Sequence, residues 1–301
     1  MKKNLLYLLK FLLSLLLIIV LIFSLNACKK KNKSRIIKNN EAVSDYVPDI
    51  STESNEKITE TINIDGIGEV IFTHSPNSSI DTFKNNKYST GDTLIIGDFK
   101  YVVQKKWNGK EYETLPEGSL GCFSVIAITQ KEKYEDPPYE VLFGLKVLNY
   151  DYCFYNNNIL KEIPRMNKEL VSASHCFDGC TNLTNETIND TFCSLNNIED
   201  VSYMFANCEL LKNFGSIPQT VKNADGMFLN CKNLESLVFS SNAEKLNETF
   251  KGCKNLSGNI LFNSVPKEYK DTFTDTVKEI KVKADYDNLS MFSTYSNVKC
   301  E

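Results

Sequence analysis

Ten cysteines and two histidines are the side chains best equipped for chemistry in this 301-residue chain. Cys176 and Cys180 stand four apart, within the spacing of a thiolate zinc pair, and His175 sets a base next to a nucleophile in sequence. Neither reading goes far. A structural zinc site needs a second close pair, and the sequence has none. With His74 and His175 alone, a multi-histidine metal centre is excluded. Neighbours along a coil point to different faces, which separates His175 from Cys176. There is no G-x-S-x-G, Walker loop, dinucleotide fingerprint or H-E-x-x-H. No catalytic residue, metal ligand or cofactor is assigned, and an enzyme, which would have to use residues 61–140, is the least expected class. Trp107, in the polar run Trp107-Asn108-Gly109-Lys110, reads better as a packed loop aromatic than as a ligand contact.

One cysteine has a different context. Lys2 and Lys3 precede an apolar run from Phe11 to Phe23, broken only by Ser14, and Leu25-Asn26-Ala27-Cys28 closes it. A basic start, an apolar stretch of this length and a small residue at its end make a secretory signal. Leu25, Ala27 and Cys28 resemble a bacterial lipobox, with Asn26 departing from the usual small or aliphatic residue. That resemblance implies cleavage before Cys28, acyl chains on its amino terminus and sulfur, and a membrane anchor. An uncleaved anchor is the competing reading. It is opposed by the shortness of the run against the ~20 residues a spanning helix needs. It would also carry Lys29, Lys30, Lys31, Lys33, Arg35 and Lys38 across the membrane. A lipidated Cys28 followed by that basic run suits an anionic membrane surface.

Nine basic and no acidic residues lie in 1–38, and the other 263 residues carry 25 basic against 38 acidic groups, a net of −13. Nucleic acid is not expected as a partner of so acidic a body. Residues 28–60, rich in Lys, Asn, Ser and Glu without apolar period, read as a disordered tether after a signal peptide over 1–27.

The elements that would position any site fall into two blocks. From 61 to 140 the chain reads as a small β domain. Ile62 and Ile64 alternate with polar residues, Val70-Ile71-Phe72 follows, and Thr93–Ile96 and Tyr101–Val103 flank a hairpin turn at Gly97-Asp98-Phe99-Lys100. Cys122–Ile128 and Tyr139–Val147 are further strands. From 141 to 285 the chain repeats itself, and 286–301 is read as a cap or tail.

The repeat is anchored on Phe154, Phe177, Phe205, Phe228, Phe250 and Phe273, at intervals of 23, 28, 23, 22 and 23 residues. Three positions later stand Asn157, Cys180, Cys208, Cys231, Cys253 and Thr276; three further on come Leu160, Leu183, Leu211, Leu234, Leu256 and Glu279. A unit this short cannot bury its apolar face alone, but stacked units bury a continuous core. The Phe and Leu columns are its walls, with the cysteines as small apolar fillers, expected to be free thiols. Gly179, Asn207, Asn230 and Gly252 tolerate the left-handed backbone of a tight turn. Leu234–Phe239 is the clearest strand, and the excess between Leu183 and Ile198 is a bulging loop or helical turn.

Cys176-Phe177-Asp178-Gly179-Cys180-Thr181-Asn182-Leu183, Met204-Phe205-Ala206-Asn207-Cys208 and Met227-Phe228-Leu229-Asn230-Cys231-Lys232-Asn233-Leu234 resemble the BspA-like leucine-rich repeat surface proteins, over about 145–283. The resemblance implies a mainly β fold with short helical or turn segments: a leucine-rich-repeat solenoid of about six coils, here preceded by a small β domain. It also implies a protein exported to a microbial surface, acting in adhesion or host contact. The leading expectation is a lipid-anchored envelope protein binding a protein or surface ligand through exposed residues between the apolar columns: Lys161, Glu162, Lys212, Asn213, Glu235 and Ser236. A structural or antigenic coat lipoprotein without a dedicated ligand is the alternative.

Overall fold

The structure, a computed structural model, describes residues 57–300 except 77–78, 85–89, 105, 108–111, 114–121, 185–191, 193 and 285–289. Cys28, the signal segment and most of the tether therefore lie outside the described residues, as do Cys193 and most of the excess between Leu183 and Ile198.

The first block builds a seven-stranded sheet in the order β1-β2-β3-β4-β7-β9-β8. Its strands are β1 (Ile58–Ile64), β2 (Gly68–His74), β3 (Thr93–Ile96), β4 (Phe99–Gln104), β7 (Cys122–Ala127), β8 (Val141–Leu142) and β9 (Leu145–Asn149). The first described strand, β1, begins at Ile58, slightly before the boundary read from sequence, with Thr59 and Glu60 paired to Thr73 and Phe72. The β1–β2, β2–β3, β3–β4 and β4–β7 pairs are antiparallel, and alternation sends Val70, Phe72, Leu94, Tyr101 and Phe123 inward. Between Ile96 and Phe99 a two-residue turn closes the expected hairpin, with Gly97 at φ 56° supplying the positive φ that such a turn needs.

Two details differ from the sequence reading. Tyr139–Val147 is not one strand. Phe143 (φ 49°) and Gly144 (φ 79°) both turn left-handed and fold β8 back on β9. Trp107 is not in a loop: its backbone lies in β5 (Lys106–Trp107), paired with β6 (Tyr112–Glu113). Helix is scarce, with α1 at Ile80–Lys84 and a 3-10 turn at Ser290–Phe292.

β9 joins the two blocks. It runs parallel to β7, and its last residue, Asn149, begins a ladder of parallel bridges through Ser172, Asp200, Asn223, Lys245 and Glu268. On the other side of the turns the coils form a parallel sheet of β10 (Asn213–Ser216), β11 (Ser236–Ser241), β12 (Gly258–Phe262), β13 (Ile280–Ala284) and β14 (Val298–Cys300). β11 lies two residues later than Leu234–Phe239, because Leu234 is spent on closing the turn with its N–H on Cys231 O. The last strand, β14, is supplied by the C-terminal segment, which also buries Phe292 against Phe262 and Phe273. One apolar core runs without a break from Ile64 to Val298.

The arm between β7 and β9 lies over the first coil. Tyr134 is buried beside Phe99 and Phe154, Ala127 N–H donates to Cys153 O at 2.9 Å, and Lys161 N–H donates to Glu132 O at 2.9 Å.

Candidate interaction surface

Phe154, Phe177, Phe205, Phe228, Phe250 and Phe273 are buried and lie in file. Successive rings are 5.3, 5.5, 6.1, 6.0 and 5.4 Å apart, with planes within 14° of parallel. Burial of each ring stabilises the stack by roughly 1.5–3 kcal/mol. Phe214 and Phe239 meet this file edge-on, at 5.2 Å from Phe205 and 5.1 Å from Phe250. Leu160, Leu183, Leu211, Leu234 and Leu256 are buried beside it.

The cysteine column does more than fill space. Cys180, Cys208, Cys231 and Cys253 are buried free thiols. Each S–H donates to the carbonyl of the Phe one coil earlier: Phe154, Phe177, Phe205 and Phe228, at 3.0–3.2 Å. Burial pushes the Cys231 thiol up to about 12 and those of Cys208 and Cys253 well above their ordinary value. As neutral donors deep in the stack they are poor nucleophiles and poor metal ligands. Cys176, also buried, is separated from His175, which turns outward and hydrogen-bonds Asp178 at 2.8 Å. Among the described residues no group of three or more His, Cys, Asp or Glu is arranged to hold a metal.

The turn residues Gly179, Asn207, Asn230 and Gly252 have φ of 78°, 59°, 60° and 77°. A second left-handed column, two residues before each Phe, escaped the sequence reading: Tyr152, His175, Tyr203, Gly226, Glu248 and Asp271, with φ of 53–58°. Its signal was Gly226, a glycine in register with bulky residues. Tyr152, His175 and Tyr203 stack face to face at 4.7 Å on the outside of the turns. Tyr203 then spreads over Gly226, where a Cβ would lie 2.2 Å from the ring. The facing sides of these rings are thus covered by one another and by Gly226.

Beneath this ladder runs a polar one. Asp151 accepts from Asn149 Nδ2 (2.7 Å), Ser172 Oγ (2.5 Å) and Ser174 N (2.8 Å). Desolvation raises its carboxyl to about 6, against the pull of those donors and with a smaller push from Asp200. Asp200 accepts from Ser202 N in its own coil and from Asn223 Nδ2 of the next, and Asp225 accepts from Asn247 N of the coil after it.

The six residues expected to form a binding face do not form one patch. Lys212, Asn213, Glu235 and Ser236 are brought together on adjacent coils: Asn213 pairs with Ser236, whose Oγ donates to Asn213 Oδ1 at 2.8 Å, and Glu235 N donates to Lys212 O at 2.6 Å. Lys161 and Glu162 lie two coils earlier and are engaged by the arm, in ion pairs with Glu132 (2.8 Å) and Lys133 (3.0 Å). Elsewhere on the flanks, charges join one coil to the next: Lys222–Glu199 at 2.9 Å, Lys232–Glu209 at 2.8 Å, Lys245–Glu268 at 3.2 Å and Lys267–Glu244 at 2.6 Å. Among the described residues no helix is long and apolar enough to cross a membrane.

Residues 149–280 match the family described as BspA type Leucine rich repeat region, in six copies. Comparison with curated proteins and with solved structures gives no match.

Proposed function

We propose that this chain is a lipid-anchored cell-surface protein whose solenoid of six coils mediates protein–protein interaction, in adhesion or host contact. The observation that carries this reading is the division of labour in the coils. The Phe, Leu and Cys columns are consumed by stacking, which leaves the exposed positions between them to recur coil after coil, available for contact with a partner. Leucine-rich repeats are generally non-enzymatic interaction modules, and proteins with BspA-type repeats are typically at the surface or secreted. The leader and Cys28 support the anchor, and the tether after Cys28 would hold the sheet, which spans Ile58 to Asn149, and the coils that follow it away from the bilayer. Lys212, Asn213, Glu235 and Ser236 are the part of the face where neighbouring coils present side chains together.

Two experiments test the proposal. Cys28→Ala followed by detergent partitioning and surface proteolysis should move the protein out of the membrane fraction; a variant that still partitions as a lipoprotein refutes the anchor. Lys212→Glu with Glu235→Lys should abolish retention of a captured surface partner, and unchanged retention removes that face. The coat-protein alternative draws support from the ion pairs that spend flank charges between coils. High abundance with no saturable binding to host-cell proteins would decide for it.

A further inference from the structure

A cleft of about 840 Å³ opens beside the β1–β2 and β3–β4 turns, walled by the arm at 136–140 and by Arg165 of the first coil. Its apolar lining includes Ile67, Ile71 and Ile95, each half-buried, and Tyr139, which is 38% exposed. Ile71 and Ile95 are a cross-strand pair, so they present side by side. Its polar lining holds four carboxylates, Glu69, Asp98, Asp136 and Glu140, against the single guanidinium of Arg165.

The wall is held in place by the fold. Tyr139 N–H donates to the buried Tyr101 hydroxyl at 2.9 Å, and Glu140 O accepts from Val147 N at 2.9 Å. Arg165 pairs with Glu140 at 3.0 Å, and Pro137-Pro138 stiffens the approach. Asp98 is engaged by Lys131 and by Thr129 Oγ1. Glu69 and Asp136 have no ion-pair partner among the described residues, and both are exposed. A cleft of this size, with half-buried isoleucines and two exposed unpaired carboxylates in its lining, has the chemistry to take a cation carried on apolar groups.

We propose that this cleft docks an extended peptide segment of a protein partner, one that alternates basic and aliphatic residues. Acidic and neutral sugar ligands are disfavoured by the rim and by the aliphatic floor respectively. A single amine would answer one of the two unpaired carboxylates and leave the other; two cations on one backbone answer both Glu69 and Asp136, with aliphatic side chains between them covering Ile67, Ile71 and Ile95. The site is separate from the solenoid face of Lys212 and Glu235, so the two ideas fail independently.

The test is fluorescence anisotropy on the full chain with a labelled Lys-Ile-Lys-Leu-Lys-Ile peptide, with a matched peptide carrying Glu for Lys and with spermidine as competitor. The basic peptide should bind saturably, the acidic one should not, and spermidine should displace it only at large excess. Glu69→Lys with Asp136→Lys should weaken binding by about tenfold or more, and Tyr139→Ser should weaken it by a similar factor while leaving the charge unchanged. Glu235→Lys should leave the affinity within about twofold. Equal affinity of wild type and the Glu69→Lys/Asp136→Lys variant overturns the proposal. So does equal binding of the acidic peptide, or displacement by equimolar spermidine, which would mark a cation-only surface. If the double charge variant does not fold, unaltered affinity of Tyr139→Ser is sufficient to reject the site.

Discussion

The seven-stranded sheet and the coils after Asn149 share one core but are organised on different rules. In the sheet each strand meets its neighbour through its own register, and a local turn such as Gly97-Asp98 between β3 and β4 sets some of these pairs. In the coils a single set of contacts recurs: Phe on Phe, Cys S–H on the earlier Phe carbonyl, bridge residue on bridge residue. The sheet can change one strand and keep the rest of its pairings. The coils reuse the same column, so an error in one rung is felt by both neighbours. What joins the two is a small junction: β9, the arm with Tyr134, and Phe154, whose ring lies 5.2 Å from Tyr134, 6.2 Å from Phe99 and 5.3 Å from Phe177.

The sharpest way to break this comparison is to remove rings at and away from the junction. Phe154→Ala should cost about 3–5 kcal/mol and lower amide protection in β4 and β7 as well as in the first coils. Phe250→Ala should cost a similar amount and lower protection only in the C-terminal coils. Hydrogen exchange with urea melts measures both, and undiminished protection of β4 in Phe154→Ala would mean that the two blocks are energetically separate.

Next in size is a defect the sheet cannot suffer. Gly226→Ala puts a methyl into the Tyr203 ring at a backbone φ of 57°, and should destabilise by about 2–4 kcal/mol. Adding Tyr203→Ala should return part of that loss by clearing the space. The control in the sheet is Gly68→Ala, which also has positive φ (100°) but meets nothing within 4 Å; it should cost only the backbone strain.

The thiol bond comes next. Cys231→Ala removes one donor and a sulfur from the stack and should cost about 1–2 kcal/mol. In the native protein iodoacetamide should modify the exposed Cys300 well before any of the column cysteines, whose reaction should track opening of the coils.

An effect confined to a window of pH lies at the junction itself. The Asp151 carboxyl is raised to about 6, so the folded chain keeps that proton over a range where the unfolded chain has lost it. Its contribution is therefore most favourable below about pH 4 and declines as pH rises through about 4–6, by up to about 3 kcal/mol. Asp151→Asn should flatten that part of the stability profile, seen by chemical melts at pH 4.5 and 7. A profile identical to wild type would show that the three donors at Asp151 outweigh its burial.

Legibility followed the same divide. The Phe, Cys and Leu columns could be aligned because one physical demand, closing a short coil against its neighbour, was written six times in the chain. The left-handed turn at Gly179 and Asn207 was visible for the same reason, as residue types that tolerate it recur in place. The second left-handed column was hidden, since Tyr152, His175 and Tyr203 are types that rarely adopt positive φ; here hydrogen bonds to the next coil impose it, as in His175 N–H to Ser202 O at 2.9 Å. The proposed face was half legible. Spacing put Lys212 beside Glu235, but nothing local to Lys161 or Glu162 foretold that an arm about thirty residues upstream would take up their charges.

The sequence by itself determined the repeat pitch, the identity of the inward columns and the presence of a hairpin-rich block before them. Periodicity of burial is a one-dimensional property, and hydrophobic side chains at a fixed interval have few ways to leave water together. Tertiary structure alone decided which polar groups meet. It placed the thiol protons on phenylalanine carbonyls one coil back, and set Arg165 and the 136–140 arm around the cleft at Ile71 and Ile95. Hydrogen bonds and ion pairs depend on distance and direction to within a fraction of an ångström, and only the register between coils and the path of the arm fix those.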